Sequence, residues 1–365
     1  LRITTKTPGK LIILGEYAVL EGAPSLVAST NRFANVLFKK SEDGVFKIEA
    51  PSINVPLLKF FIDDEGKVKF IGKSFNKVAE KLSLFTATFE YISRKLIEKG
   101  IKIRPLEIFL DTYDFYSTTN LLKLGLGSSA AVTVSIITGL LSANILEPDE
   151  ITPEQILKFS IDSHRNAQGN IGSGVDIVAA IYGGILKYQI NEKEIKFKQI
   201  LMPKDLHYLT VWTGISASTT GYVEKFNKFK KEKPAEFSSL LKEMTETSNL
   251  GIDAFENCDI KTFLTYYDNY FYFLKDLNTK LNIEVITKEH QEIYNICRSA
   301  GAYYKSSGAG GGDLGILFTD NLEIFEDVKK ELAKRGFETL EIKFGIPGIK
   351  PVKIQGEINA ELTYP

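Results

Sequence analysis

The chain has 365 residues, enough for two domains of ordinary size or one large one with insertions. Hydrophobic residues make up 44% and charged residues 25%, the balance of a soluble globular protein with ample core material, and the formal net charge of -1 gives no global field toward nucleic acid or an anionic membrane. No stretch of about 18 apolar residues reads as a membrane span. The two cysteines, Cys258 and Cys297, stand in no metal-ligand spacing, and the amino terminus shows no apolar run with a cleavage site, so a cytoplasmic protein with reduced thiols is expected.

The opening third alternates strand-like runs with polar turns. Lys10 to Leu14 is apolar and β-branched, Ala18 to Leu20 resumes after Gly15-Glu16-Tyr17, and Gly22-Ala23-Pro24 marks a turn before Ser25 to Ser29. Val45 to Ala50 and Val68 to Ile71 read as strands. From Lys77 to Lys99 apolar residues fall at helical spacing, with Gly100 as the stop. Leu106 to Leu110 is a strand, and a polar, aromatic connection then leads into Gly125-Leu126-Gly127-Ser128-Ser129-Ala130-Ala131. Small apolar residues from Ala130 to Leu141 predict a helix packed on most of its surface. Another helix covers Pro153 to about Gln168, and Ile177 to Ile181 is a short buried one stopped by Gly183-Gly184.

Later strands are expected at Ile185 to Tyr188, Leu209 to Thr213, Gly315 to Phe318 and Glu338 to Phe344. Helices are expected at Tyr222 to Lys233, Phe237 to Phe255, Ile260 to Leu277 and Leu322 to Gly336. A second glycine-rich loop runs through Gly308-Ala309-Gly310-Gly311-Gly312-Asp313. The composition changes near residues 186–200, which divides the chain into residues 1–190 and 191–365.

The first glycine turn is the strongest chemical signal. Gly125 and Gly127 let backbone approach an anion closely, and the helix that follows aims its unpaired N–H groups and positive dipole end at the same spot. Ser128 and Ser129 add hydroxyls suited to phosphate oxygens or Mg²⁺. No Lys-Ser or Lys-Thr follows, so the turn is not a P-loop, and Ala130 breaks the dinucleotide fingerprint. The second loop can also present N–H groups to an anion, and core-like sequence directly after it argues against a linker. Asp176, after Gly172-Ser173-Gly174, supplies a carboxylate of the kind phosphoryl transfer uses to orient or deprotonate a nucleophile, although a lone Asp there is more often a helix cap. Lys10, in Pro8-Gly9-Lys10, is equally ambiguous alone.

Taken together, these segments resemble the GHMP kinase superfamily from end to end. Pro8 to Lys10 through Gly15 to Gly22 is similar to its first motif, Gly125 to Ala131 to its second and Ser307 to Gly312 to its third. Within the superfamily the likeness is to phosphomevalonate kinase of the eukaryotic type, through Ala167 to Asp176 and Ala179 to Gly184. Mevalonate kinases typically carry a proline before this Ser-Gly and an acidic residue about a dozen positions earlier. Here Gly172, and His164 and Arg165, stand there instead.

The resemblance implies an α+β fold, with an amino-terminal domain like ribosomal protein S5 domain 2 and a ferredoxin-like carboxy-terminal domain. It implies ATP on Gly125, Leu126, Gly127, Ser128, Ser129 and Ala130, with Mg²⁺ on Ser129. Lys10 and Asp176 become catalytic. Lys10, Tyr17, Ser173, Arg165, Gly310 and Gly311 become substrate contacts. The implied acceptor is 5-phosphomevalonate, and the implied assembly a monomer or homodimer without nucleic acid or membrane. Mevalonate kinase, another small-molecule kinase of the superfamily, and a catalytically silent ligand sensor are the alternatives. The adenine contacts are expected near Asn76 in the Lys73–Lys77 segment. The aromatic stripe from Phe263 to Leu274 reads as core, and the lysines from Lys225 to Lys233 as a solvated helix face.

Overall fold

The computed structural model describes residues 1–119, 121–145, 151–167, 172–191, 194–216, 219–349 and 352–354. Gln168 to Ile171, part of the segment that carries the phosphomevalonate kinase likeness, lie outside the described residues.

The chain opens with a long hairpin. Strand β1 (Arg2–Leu14) pairs antiparallel with β2 (Ser25–Lys40), and both run well beyond the short strands expected from composition. Between them, Ala18–Glu21 is a 3-10 turn rather than the resumed strand, because Tyr17 at φ 61 redirects the chain out of the sheet. There follow β3 (Phe46–Ala50), β4 (Val55–Ile62), β5 (Val68–Ile71), α1 (Ser83–Glu98), β6 (Leu106–Asp111), α2 (Ser128–Asn144), α3 (Pro153–Ala167) and α4 (Val175–Tyr182). β4 shows no clean alternation in sequence, since Leu57 and Phe61 are apolar yet exposed on its outer face.

The hairpin β7 (Ile185–Asn191) and β8 (Glu194–Ile200) is edge-paired to β2. The expected division at 190/191 therefore falls inside a hairpin of the first sheet. That sheet runs in the order β13-β1-β2-β6-β3-β4-β5, with β3 and β6 parallel. Its β13 (Val352–Ile354) is contributed by the carboxy-terminal end of the described chain. The second sheet has the order β10-β11-β9-β12, from β9 (His207–Trp212), β10 (Tyr303–Ser306), β11 (Leu314–Thr319) and β12 (Glu338–Leu340). Helices α5 (Thr219–Glu232), α6 (Pro234–Glu256), α7 (Ile260–Leu281), α8 (Lys288–Ala300) and α9 (Leu322–Lys334) accompany it.

Helix α2 positions the site. Every residue from Ala130 to Asn144 is buried, as its small apolar composition requires. At Gly139 an added Cβ would stand 2.0 Å from the Phe38 ring, so only glycine lets the helix lie this close to β2. The aromatic stripe of α7 is core: Phe263, Tyr267, Tyr270, Phe271 and Leu274 are fully buried, and the Tyr267 hydroxyl donates to Ile316 O at 2.8 Å.

Candidate active site

Three loops from distant parts of the chain meet at the start of α2. Lys10 N–H donates to Leu126 O at 2.8 Å, which fastens β1 to the glycine turn. Gly9 makes that approach possible, since a Cβ there would lie 2.6 Å from Leu126 O. Ile12 and Ser307 are joined twice: Ile12 N–H donates to Ser307 Oγ at 3.0 Å, and that hydroxyl donates to Ile12 O at 2.8 Å. The Tyr17 hydroxyl donates to Ala309 O at 2.5 Å. Beside them, Glu16 and Lys305 form an ion pair that is almost completely enclosed.

Two cavities open on this junction. One, of about 320 Å³, is lined by Lys10, Lys123, Ser129, Arg165, Ser173 and Asp176, together with the glycine turn and the third loop. The other, of about 930 Å³, has apolar and aromatic walls from Ile53, Leu82, Phe85, Tyr113, Tyr116 and Val132. Lys123, Ser128 and Ser129 belong to both. A planar, largely apolar group suits the larger chamber, while the smaller one gathers charge at a helix start. Phe75, Asn76 and Lys77 line neither cavity, so the larger chamber draws its wall from other segments than the one expected to contact adenine.

Gly125 and Gly127 adopt φ 73 and 74, the left-handed region that favours glycine. Gly127 caps α2, and the Lys10 stem lies against it: an added Cβ would be 3.0 Å from Lys10 Cε. Lys10, Lys123 and Arg165 therefore bring three cations to one cavity, facing the exposed N–H groups of the helix start. Ser129 Oγ stands 3.2 Å from His164 Nε2. Asp176 lies in the first turn of α4, where its Oδ1 accepts from Ile177 N–H at 3.1 Å. The carboxylate is thus oriented by its own backbone while it lines the cavity. Tyr188 holds the preceding loop by donating to Ser173 O at 2.5 Å. Burial, with the Asp176 charge, pushes its phenol well above the usual range, so it stays a donor.

Among the described residues, no group of three or more His, Cys, Asp or Glu side chains forms a metal cage. Mg²⁺ is usually held by one or two protein oxygens together with phosphate oxygens and water. Ser129 Oγ and the Asp176 carboxylate, which line one cavity, are oxygen ligands that fit a metal arriving with a nucleotide.

Of the expected residues, the cavity gathers Lys10, Tyr17, Gly125, Leu126, Gly127, Ser128, Ser129, Arg165, Ser173 and Asp176. Ala130 follows one position on and is buried within α2. Gly310 and Gly311 are placed otherwise. Their missing side chains make room for Val285 O and the Tyr222 hydroxyl, which an added Cβ would meet at 2.2 and 2.0 Å. Ser307, Gly308, Ala309 and Asp313 line the cavity in their place. The Tyr17 hydroxyl donates its proton to Ala309 O, so it reads as a brace between loops as well as a cavity wall. A lysine two positions before a phosphate-type glycine turn is itself a sequence signal, and Lys123 stands there. Lys305 carries none, and the motifs that contain Glu16 and His164 do not announce their contacts with Lys305 and Ser129, which lie far along the chain.

Residues 83–184 match the family model for the GHMP kinases N terminal domain. This segment is similar to the amino-terminal domain of the GHMP kinases. It contains the second motif, Arg165, Ser173 and Asp176, and the two-domain α+β architecture around it is the GHMP kinase fold. The family indicates an ATP-dependent kinase. Over 325 residues the chain is 29% identical to a mevalonate kinase of Thermococcus sibiricus, covering 86% of this chain and 87% of that protein. Over 343 residues it is 23% identical to a phosphomevalonate kinase of a Streptomyces species, covering 87% and 90%. The structure of Streptococcus pneumoniae phosphomevalonate kinase in complex with phosphomevalonate and AMPPNP superposes with a TM-score of 0.75 at 20% identity, over 94% of this chain and 99% of that one.

Proposed function

We propose that this GHMP kinase transfers the γ-phosphoryl group of ATP to 5-phosphomevalonate, giving 5-diphosphomevalonate. The relatives named above include both mevalonate kinases and phosphomevalonate kinases, so overall similarity supports a kinase of the mevalonate pathway without choosing the acceptor. The observation that carries the choice is Arg165. It is half-buried, it lines the small cavity, and it makes no ion pair among the described residues. Transfer of one phosphoryl group is already served by Lys10, Lys123 and the α2 start. A third, planar cation is suited to grip a second phosphate, the one the acceptor brings.

In this reading the larger chamber takes the nucleoside, and the shared wall of Lys123, Ser128 and Ser129 holds the phosphates. Bound Mg²⁺ would supply charge neutralisation there, with Ser129 Oγ as its protein oxygen. Lys10, its stem braced on Gly127, neutralises charge on the group in transfer. Asp176 orients the acceptor. A phosphate nucleophile has its second pKa near 6 and is already anionic at neutral pH, so removing a proton matters less than positioning.

The deciding experiment measures ADP release from the purified protein with mevalonate, 5-phosphomevalonate, homoserine and galactose in parallel. Turnover confined to 5-phosphomevalonate is expected. Turnover of mevalonate but not its phosphate would establish the second reading, mevalonate kinase, which the higher identity to the Thermococcus enzyme favours. ATP binding without turnover of any acceptor would establish a ligand sensor.

A further inference from the structure

The two serines of the glycine turn are not equivalent. Both Ser128 and Ser129 line the two cavities. Only the Ser129 hydroxyl is held by another side chain among the described residues, with its Oγ 3.2 Å from His164 Nε2. His164 stands in the last turn of α3, is 6% exposed and lines the smaller cavity beside Ser129. Helix α3 is itself tied to α1, since the Tyr91 hydroxyl donates to Asp162 Oδ2 at 3.1 Å. Two packed helices therefore bring a ring nitrogen to one hydroxyl at the start of α2. A leucine would fill this space without desolvating a polar ring, so packing alone does not call for histidine.

Ring chemistry favours a task toward the hydroxyl. Mg²⁺ takes oxygen ligands, so an imidazole nitrogen is ill suited to bind the ion itself. A serine hydroxyl carries one proton and two lone pairs, and its hydrogen rotates to suit the surroundings. When that oxygen serves a cation, the proton must point away and needs an acceptor on the far side. A neutral imidazole provides one, with the other ring nitrogen carrying the proton. An accepting ring also adds no charge to a cavity that already gathers Lys10, Lys123 and Arg165, whereas a lysine at this place would repel the metal.

We propose that His164 is a positioning residue whose Nε2 accepts the Ser129 hydroxyl proton and so turns an oxygen lone pair toward the metal that arrives with the nucleotide. The ring proton then resides on Nδ1. The inference rests on the reading above in which Ser129 gives Mg²⁺ its protein oxygen, and it does not depend on which acceptor is phosphorylated. Groups that orient a metal's ligands typically account for about 10–100-fold in metal affinity.

The test is a binding titration without turnover. Calorimetry gives the Kd of AMPPNP in excess Mg²⁺ and in EDTA, and the ratio of the two is the gain due to the metal. Ser129→Ala is expected to lose about tenfold or more of the gain shown by the unmodified protein. His164→Leu loses a similar amount, while its Kd in EDTA stays within about twofold. His164→Gln, whose amide oxygen can accept the same proton, regains most of the loss. Adding His164→Leu to Ser129→Ala costs nothing further, because the ring acts through the hydroxyl. A full gain in His164→Leu overturns the proposal, and so do additive losses in the double variant or equal losses with and without metal. An undiminished gain in Ser129→Ala overturns it too. In the unmodified protein, ¹⁵N NMR of the histidine rings in the Mg²⁺–AMPPNP complex should show His164 as the Nδ1–H tautomer; an Nε2–H tautomer overturns the proposal whether or not any variant folds. The reading of function fails separately: turnover of mevalonate but not its phosphate in the rate assay overturns 5-phosphomevalonate as the acceptor and leaves these titrations as they are.

Discussion

Lys10 and Asp176 bring opposite charges to one cavity, and their substitutions separate two accounts of transfer. If positioning and charge neutralisation dominate, Lys10→Ala loses about 10²–10³ in kcat, the usual cost of one transition-state charge contact. Asp176→Asn then loses less, about tenfold to 10², because the phosphate nucleophile needs no base. Steady-state rates decide, and equal or reversed losses identify Asp176 as a true general base. Arg165→Ala is expected to raise the KM for a phosphorylated acceptor about tenfold or more while leaving the KM for ATP nearly unchanged. His290 gives a separate pH signature. It is fully buried, its Nδ1 accepts from the Tyr304 hydroxyl at 2.8 Å, and its Nε2–H donates to Gly312 O at 2.9 Å. Burial lowers its pKa from 6.5 to about 4, against the carbonyl of Gly312 and the nearby Glu289, with Lys305 adding to the depression. Between those values the unfolded chain binds more protons, so stability is full above pH 6.5 and falls by up to about 3 kcal/mol as pH drops toward 4. Thermal melts from pH 4 to 7 should show this slope, flattened in His290→Gln.

At the scale of elements, the glycine turn keeps its shape because two glycines and one helix are locked against other parts of the chain. A Cβ on Gly125 would lie 2.3 Å from an Asp313 carboxylate oxygen, at a φ of 73 that strains any side chain. Gly125→Ala should therefore weaken ATP binding about tenfold or more in an equilibrium titration, with only a modest drop in Tm. Gly139→Ala touches no cavity yet meets the Phe38 ring at 2.0 Å. It should cost about 1–3 kcal/mol of stability by overpacking, and the KM values of the folded fraction should be unchanged. The elements legible in sequence were those whose own side chains show a period. Val68–Ile71 and Pro153–Ala167 came out at or near their observed bounds, and α2 was clear from its small apolar run. Strand β8 escaped notice because its burial pattern is almost wholly exposed, and α8 because its charged surface hides a narrow buried stripe of His290, Ile293, Tyr294 and Cys297.

For the whole molecule, the two sheets do not partition the chain at one point. β7 and β8 reach to residue 200 within the first sheet, and β13 returns to β1 from the far end. The segment after β12 adds to this: Gly184 N–H donates to Ile346 O at 2.8 Å, and Ser29 Oγ donates to the same oxygen at 2.5 Å. A fragment of residues 1–190 would lack β8, β13 and this clasp, and should show no cooperative melt by circular dichroism. A cooperative melt would mean that the first sheet closes without the later strands. The lysine face of α5 is exposed but makes two contacts to other elements: Lys225 donates to Asn282 O at 3.0 Å, and Lys230 reaches Glu21 at 2.6 Å, at the end of the first motif.

Local chemistry could be read directly from residue order. Glycines before a small-residue helix point to an anion site, because that preference depends on neighbours within one turn, whereas Lys10 and Asp176 beside their glycines are ambiguous until the segments are read together. The gathering of Lys10, Lys123, Arg165 and Asp176 on one cavity was decided only by the tertiary structure, since it depends on β1, α3 and α4 packing around α2. The same holds for Glu16 and Lys305, which are separated by 289 positions and have no local pattern to announce them. It holds also for Gly310 and Gly311, whose missing side chains make room for Val285 and Tyr222. The glycine turn thus pointed to a phosphate site from sequence alone; which cations and which carboxylates surround it is a property of long-range packing.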